Sequence, residues 1–196
     1  MTENRILQQI QFLTEVDKLK SVYRQSFLIN KSRNENDAEH SWHLAMMAMI
    51  LREHANEEVD VTHVMKLVLI HDIIEIDAGD TFAYDEKGYQ DKEEREKAAA
   101  DRIFSILPED QTREIRQLWD EFEERATPEA KFAHSIDRLS PLIQNYYTEG
   151  ATWRKHQVTR DMVIKRCGVI ADGSKALWEF VEDLIRHSVE KGYLLP

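Results

Sequence analysis

The stretch Asp60-Val61-Thr62-His63-Val64-Met65-Lys66-Leu67-Val68-Leu69-Ile70-His71-Asp72-Ile73-Ile74-Glu75 decides how this chain is read. Val64, Leu67, Val68 and Ile70 recur at helical spacing, and Asp60 stands where a helix N-cap belongs. The segment predicts a helix that carries a histidine and an aspartate near its C-terminal end. Those two residues lie between Val68-Leu69-Ile70 and Ile73-Ile74, where an unpaired charge is costly to bury. A metal ion is one way to satisfy it.

Working outward, the same periodicity recurs almost everywhere. Residues 4–19 place Ile6, Leu7, Ile10, Leu13 and Val16 on one stripe. A second helix is expected after Asn36 or Asp37, running to about His54 with Trp42, Ala45, Met46, Met49 and Ile50 as its apolar face. Asp77 to Gln90, with Gly79 and Gly88, reads as a long loop of the kind that often carries function. Helices follow over about 91–107, ended by Pro108, and over 109–125. Thr127-Pro128-Glu129 opens another; it carries Asp137 and meets Pro141, which is expected to kink or break it. A last helical stretch covers about 159–189. Strand-like alternation is nearly absent. The prediction is an all-α bundle of six to nine helices, with residues 1–196 forming one domain.

Composition narrows the function. The 196 residues carry a formal net charge of −11, which argues against a nucleic-acid polymer as partner, because such binding needs a basic surface. A small phosphorylated substrate is compatible, since a site metal supplies local positive charge. The lone Cys167 has no internal disulfide partner and fits a reducing compartment. The longest apolar run, Leu44 to Leu51, is far below the ~20 residues that span a bilayer. The opening residues lack the apolar core of a signal peptide. A cytoplasmic protein without membrane contact is expected.

The chemistry centres on Glu39-His40, His71-Asp72 and Asp137. Two imidazoles and two carboxylates from three helices make an open shell suited to Mn²⁺, Co²⁺, Fe²⁺, Zn²⁺ or Mg²⁺. One difficulty is geometric: neighbours on a helix point about 100° apart, so His71 and Asp72 share an ion only if it lies close to the helix, between their directions. Glu75, four residues after His71 and three after Asp72, falls on the same side and is a candidate acid or base. Bland alternatives stand beside each assignment. His40 fits a stacking or capping role at a helix start, and Asp137 fits a pair with Arg138.

Three motifs in register carry a family resemblance. Glu35-Asn36-Asp37-Ala38-Glu39-His40-Ser41-Trp42, then His71-Asp72-Ile73-Ile74-Glu75 with Gly79-Asp80, then His134-Ser135-Ile136-Asp137-Arg138-Leu139 resemble the HD-domain superfamily of metal-dependent phosphohydrolases. Within it the chain looks most like the branch of 5′-deoxynucleotidases and related predicted hydrolases, over about Leu19 to Tyr147. The resemblance implies a compact HD-domain helical bundle in which His40, His71, Asp72 and Asp137 hold one divalent metal. It further implies Glu75 as catalytic acid, Asp80 as the carboxylate that helps hold water or phosphate, and Arg24 as the phosphate contact, with Arg33 a competitor. Relatives commonly form homodimers. Where deoxynucleotidases carry a tryptophan against the sugar, this chain has Ser26-Phe27-Leu28, which leaves sugar preference open.

Of the remaining histidines, His43 is expected behind the site or in packing, and His54, His63, His156 and His187 read as structural. His134 alone falls between Asp72 and Asp137, too thin a supply for a second metal. The implied activity is release of phosphate from a (deoxy)nucleoside 5′-monophosphate. The alternatives are a pyrophosphohydrolase or phosphodiesterase on the same centre, and a non-catalytic nucleotide-binding protein.

Overall fold

The computed structural model describes residues 2–84 and 90–196, with side chains from Asn4 onward. The last part of the expected loop, residues 85–89, lies outside the described residues. The rest is a helical fold with one small hairpin. In chain order come α1 (Thr2–Val16), a 3-10 turn, β1 (Tyr23–Phe27), β2 (Asn34–Asn36), α2 (Asp37–Leu51), α3 (Val61–Ile70), α4 (Glu75–Ala78), α5 (Lys92–Phe104), α6 (Glu109–Glu124), α7 (Pro128–Tyr147), α8 (Ala151–Lys155), α9 (Arg160–Cys167), α10 (Ile170–Gly173) and α11 (Lys175–Glu190). Three of these eleven α-helices, α4, α8 and α10, are five residues or shorter, which leaves eight of the longer kind among the described residues.

Local chemistry starts the helices where the sequence reading expects. Asn36 closes a reciprocal capping box on α2, accepting from the Glu39 amide at 2.9 Å while Glu39 accepts from the Asn36 amide at 3.2 Å. Asp60 caps α3 through the Thr62 amide at 2.8 Å, and Thr127 caps α7 with Pro128 in its first turn.

α7 is the axis of the molecule and packs against α2, α3, α6, α10 and α11. Its contact with α10 is close enough that a Cβ on Gly173 would stand 2.3 Å from the Lys131 carbonyl oxygen, so only glycine fits there. The larger core gathers Leu44, Leu67, Phe132, Ile136, Leu139 and Trp153 around this axis. A smaller core joins Phe12, Ile73, Ile74, Ile103, Phe104 and Trp119 between α1, α5 and α6.

Several expectations are corrected. α3 stops at Ile70, and residues 71–74 are turn rather than helix. The reason is packing: Leu67 and Val68 sit in the larger core while Ile73 and Ile74 sit in the smaller one. The chain tightens between them with the Ile73 amide donating to the Ile70 carbonyl and the Glu75 amide to the Asp72 carbonyl, both i→i+3. Pro141 does not break α7, which continues as one element to Tyr147. The stretch from 159 to 189 divides into α9, α10 and α11, with Ser174 capping the last through the Leu177 amide. The β1–β2 hairpin pairs Tyr23 with Asn36 and Phe27 with Asn34. It is too short and too polar to show as alternation.

Two apolar faces point outward instead of inward. α2 buries Leu44, Ala45, Met47 and Ala48 and exposes Trp42, Met49 and Ile50. α1 buries Phe12 but leaves Ile6, Leu7, Ile10 and Leu13 more than half exposed, at 54–61%. Its inward side combines Phe12 and Val16, packed in the smaller core, with polar contacts from Arg5 to Asp110 and Gln9 to Gln111. Among the described residues, no helix is long and apolar enough to cross a membrane.

Candidate metal centre

The turn after α3 removes the geometric difficulty of adjacent ligands. With the helix ended at Ile70, His71 and Asp72 fold toward one point, His71 Nε2 lying 3.1 Å from Asp72 Oδ2. His71 Nδ1 donates to the Val68 carbonyl oxygen at 2.8 Å. That bond orients the ring so that Nε2, buried and without a hydrogen-bond partner, faces Asp72 and Asp137.

His40, on the first turn of α2, and Asp137, midway along α7, face the same point. His40 Nε2 is 3.0 Å from Asp137 Oδ1, and His71 Nε2 is 3.9 Å from that oxygen. The two imidazole centroids are 5.6 Å apart. Donor atoms of His40, His71 and Asp72 all lie within 4.8 Å of one another, the one such group of metal-ligating residues among the described residues. The resulting nitrogen and carboxylate set has the composition of an open divalent-metal site.

The electrostatics favour a cation. Burial alone would raise Asp72, but the neighbouring His71 and Arg24 reverse this and hold it well below the usual carboxylate range. Burial likewise opposes ionisation of Asp137, and Arg138 and His40 overcome it. Asp137 also makes the arginine contact weighed from sequence, Arg138 Nη1 lying 3.1 Å from its other oxygen. Burial and Arg24 disfavour a charged His40, yet Asp137 and Glu35 raise it to about 9. A metal held by His40 would compete with a proton there.

Glu75 opens α4 and is 6% exposed. Burial first, and then the Asp72 charge, push its carboxyl up to about 10, so it keeps its proton at neutral pH. Asp80 follows Gly79, whose φ of +74° turns the chain back toward the site. Burial raises its pKa as well, opposed by Arg24. Both carboxyls line a cavity that also reaches Arg24, Asp72 and Asp137, with Phe82 and Tyr84 on its wall.

The two arginines separate cleanly. Arg24, on β1, aims Nη1 at Asp72 Oδ2 (2.7 Å) and Asp37 Oδ1 (3.0 Å). Arg33 is exposed and committed to Glu39, Nη1 lying 2.8 Å from its Oε2. Ser26, on β1 two residues beyond Arg24, lines the same cavity. His43 is away from the centre, stacked beside Trp42 at 6.4 Å. His134 is held by Phe122, stacking on its ring at 4.0 Å and bonding its carbonyl at 2.8 Å. Burial drops it to about 3, a neutral packing histidine.

Sequence reasoning missed two carboxylates, Glu35 and Asp37. Both lie within the first motif, but their direction depends on the hairpin, which has no legible signal. Asp37 is fully buried beside Arg24; burial and the Asp72 charge raise it to about 7.

Comparisons with known proteins bear on the fold and the family. The structure of a predicted metal-dependent phosphohydrolase from Magnetospirillum magnetotacticum superposes with a TM-score of 0.96 at 50% identity, covering 100% of this chain and 98% of the other. The 5′-deoxynucleotidase HDDC2 of Homo sapiens is 32% identical over 136 residues, 69% of this chain and 65% of the human protein. This chain thus spans less than two thirds of that relative's length. The 5′-deoxynucleotidase hdd1 of Schizosaccharomyces pombe is 25% identical over 99% of this chain and 90% of its own. A family model described as HD domain matches residues 16–178, and the chain belongs to the HD-domain family.

Proposed function

We propose that this protein is a metal-dependent phosphohydrolase that removes phosphate from (deoxy)nucleoside 5′-monophosphates. In this reading His40, His71, Asp72 and Asp137 hold a single divalent ion, with Mn²⁺, Co²⁺, Fe²⁺, Zn²⁺ and Mg²⁺ all compatible with the mixed donors. The observation that carries it is the convergence of buried His40, His71, Asp72 and Asp137 on one point, with Arg24, Glu75 and Asp80 on the adjoining cavity. The 5′-deoxynucleotidase relatives support the substrate class.

When bound, the ion supplies Lewis-acid charge for the phosphate and makes water a stronger nucleophile at neutral pH. Asp80 orients the water toward phosphorus. Arg24 holds the non-bridging phosphate oxygens with its planar guanidinium. Glu75 gives its proton to the 5′ oxygen as the P–O bond breaks, so the nucleoside leaves as a neutral alcohol. Ser26, a small side chain on the cavity wall, leaves room beside the sugar, and we expect both ribose and deoxyribose to be accepted.

Residues 1–196 form one catalytic domain in this proposal, and it acts as a homodimer. The outward apolar faces of α1 and α2 support the dimer, since exposed clusters of this kind mark interfaces. Sedimentation as a monomer at assay concentration would remove that part.

The test is a panel of nucleotides assayed with each metal for released phosphate. Metal-dependent release from 5′-monophosphates is the expected result. Release of pyrophosphate or triphosphate instead replaces the substrate assignment, and tight nucleotide binding without turnover replaces the enzyme with a sensor.

A further inference from the structure

The two imidazoles of the centre are oriented by different means. His71 is fixed by a backbone carbonyl, at Val68. His40 turns Nε2 toward Asp137 and Nδ1 toward Glu35 Oε2, 3.4 Å away. Both atoms are buried and neither makes a hydrogen bond, so each faces the other across that gap as its nearest polar partner of opposite character. Glu35 itself is 3% exposed, on a residue type almost never buried without purpose. Gln144 sits beside its carboxylate, and Arg24 Nε lies 3.9 Å from the same Oε2.

The placement follows from the hairpin. Tyr23 pairs with Asn36, and the next residue along β1, Arg24, comes within 3.9 Å of Glu35 on β2. Asn36 then caps α2, fixing the first helical turn that carries His40. One short strand thereby sets a carboxylate between an imidazole and a guanidinium.

We infer that Glu35 is a positioning residue of the metal centre, holding the His40 proton on Nδ1 so that Nε2 faces the ion, and tying Arg24 to the same carboxylate. The inference rests on the metal centre proposed above. A ligand histidine whose second nitrogen donates to a carboxylate is fixed in tautomer and made more basic, and loss of such a partner typically weakens metal binding about 10–100-fold.

The test uses zinc alone, without substrate. Titration calorimetry of the full chain should give a dissociation constant about 10–100-fold weaker for Glu35→Ala. Glu35→Gln, which keeps the shape and an acceptor oxygen, should recover most of that loss. Long-range ¹H–¹⁵N spectra of the zinc-loaded parent should place the His40 proton on Nδ1. In Glu35→Ala that resonance should shift or broaden while His71, held by Val68, stays unchanged. Unaltered zinc affinity in Glu35→Ala overturns the inference. So does a zinc-loaded parent whose His40 proton lies on Nε2, a measurement that needs no variant. If the parent fails to bind zinc, or His71→Ala binds it as tightly, the metal centre falls and this inference with it. Loss in His71→Ala with no change in Glu35→Ala removes Glu35 alone.

Discussion

The turn at residues 70–75 and the helix α1 start from similar sequence material and end in opposite surroundings. Around the turn, Leu67 and Val68 are fully buried on one side and Ile73 and Ile74 nearly so on the other. Burial of each such side chain is worth about 1.5–3 kcal/mol, and the polar pair His71-Asp72 is held between two cores. On α1 an equally regular stripe, Ile6, Leu7, Ile10 and Leu13, faces away from both. Periodicity identifies a helix and its apolar side. It does not say whether that side meets its own core or another chain.

The largest contrast should come from the polar pair itself. Asp72→Ala removes a proposed ligand from the turn, and we expect metal retention to be lost and turnover to fall to background. Full metal content by elemental analysis, with the parent rate, would break the assignment.

Glu75→Gln should come next, slowing kcat by about 10²–10⁴-fold while metal stays bound. The same change should stabilise the metal-free protein at neutral pH. Folding raises the Glu75 pKa from 4.5 to about 10, so the folded state keeps a proton that the unfolded chain has released. Stability therefore falls as pH rises between those values, and the penalty is absent below the lower one. Removing the carboxyl should recover about 1 kcal/mol or more at pH 8 in chelator, read from urea unfolding. A variant no more stable than the parent there would place Glu75 in water.

Leu67→Ala should cost about 2–5 kcal/mol through the cavity it leaves in the larger core. Leu13→Ser, on the exposed stripe, should change the unfolding free energy of the monomer by no more than about 0.5 kcal/mol while weakening self-association in sedimentation. Equal losses from the two would erase the distinction between inward and outward stripes.

Much of this was legible. Asp60, Asn36 and Thr127-Pro128 marked helix starts through capping chemistry that acts within a few residues, and they cap α3, α2 and α7. The three motifs led to His40, His71, Asp72 and Asp137, which the fold brings together. Features that depend on distant packing were not legible. The break after Ile70 arises because Val68 and Ile73 enter different cores. The outward faces of α1 and α2 have the same spacing as inward ones. Glu35 lay inside a quoted motif, but only the hairpin register turns it toward His40 and Arg24.

The central claim is that one ion is shared by side chains of α2, α7 and the turn after α3. The most direct measurement is an anomalous-difference map from crystals of the protein grown with zinc. The account predicts a single strong peak about 2.0–2.2 Å from nitrogen atoms of His40 and His71 and from carboxylate oxygens of Asp72 and Asp137. A zinc peak elsewhere, with none within coordinating distance of these four residues, would contradict it.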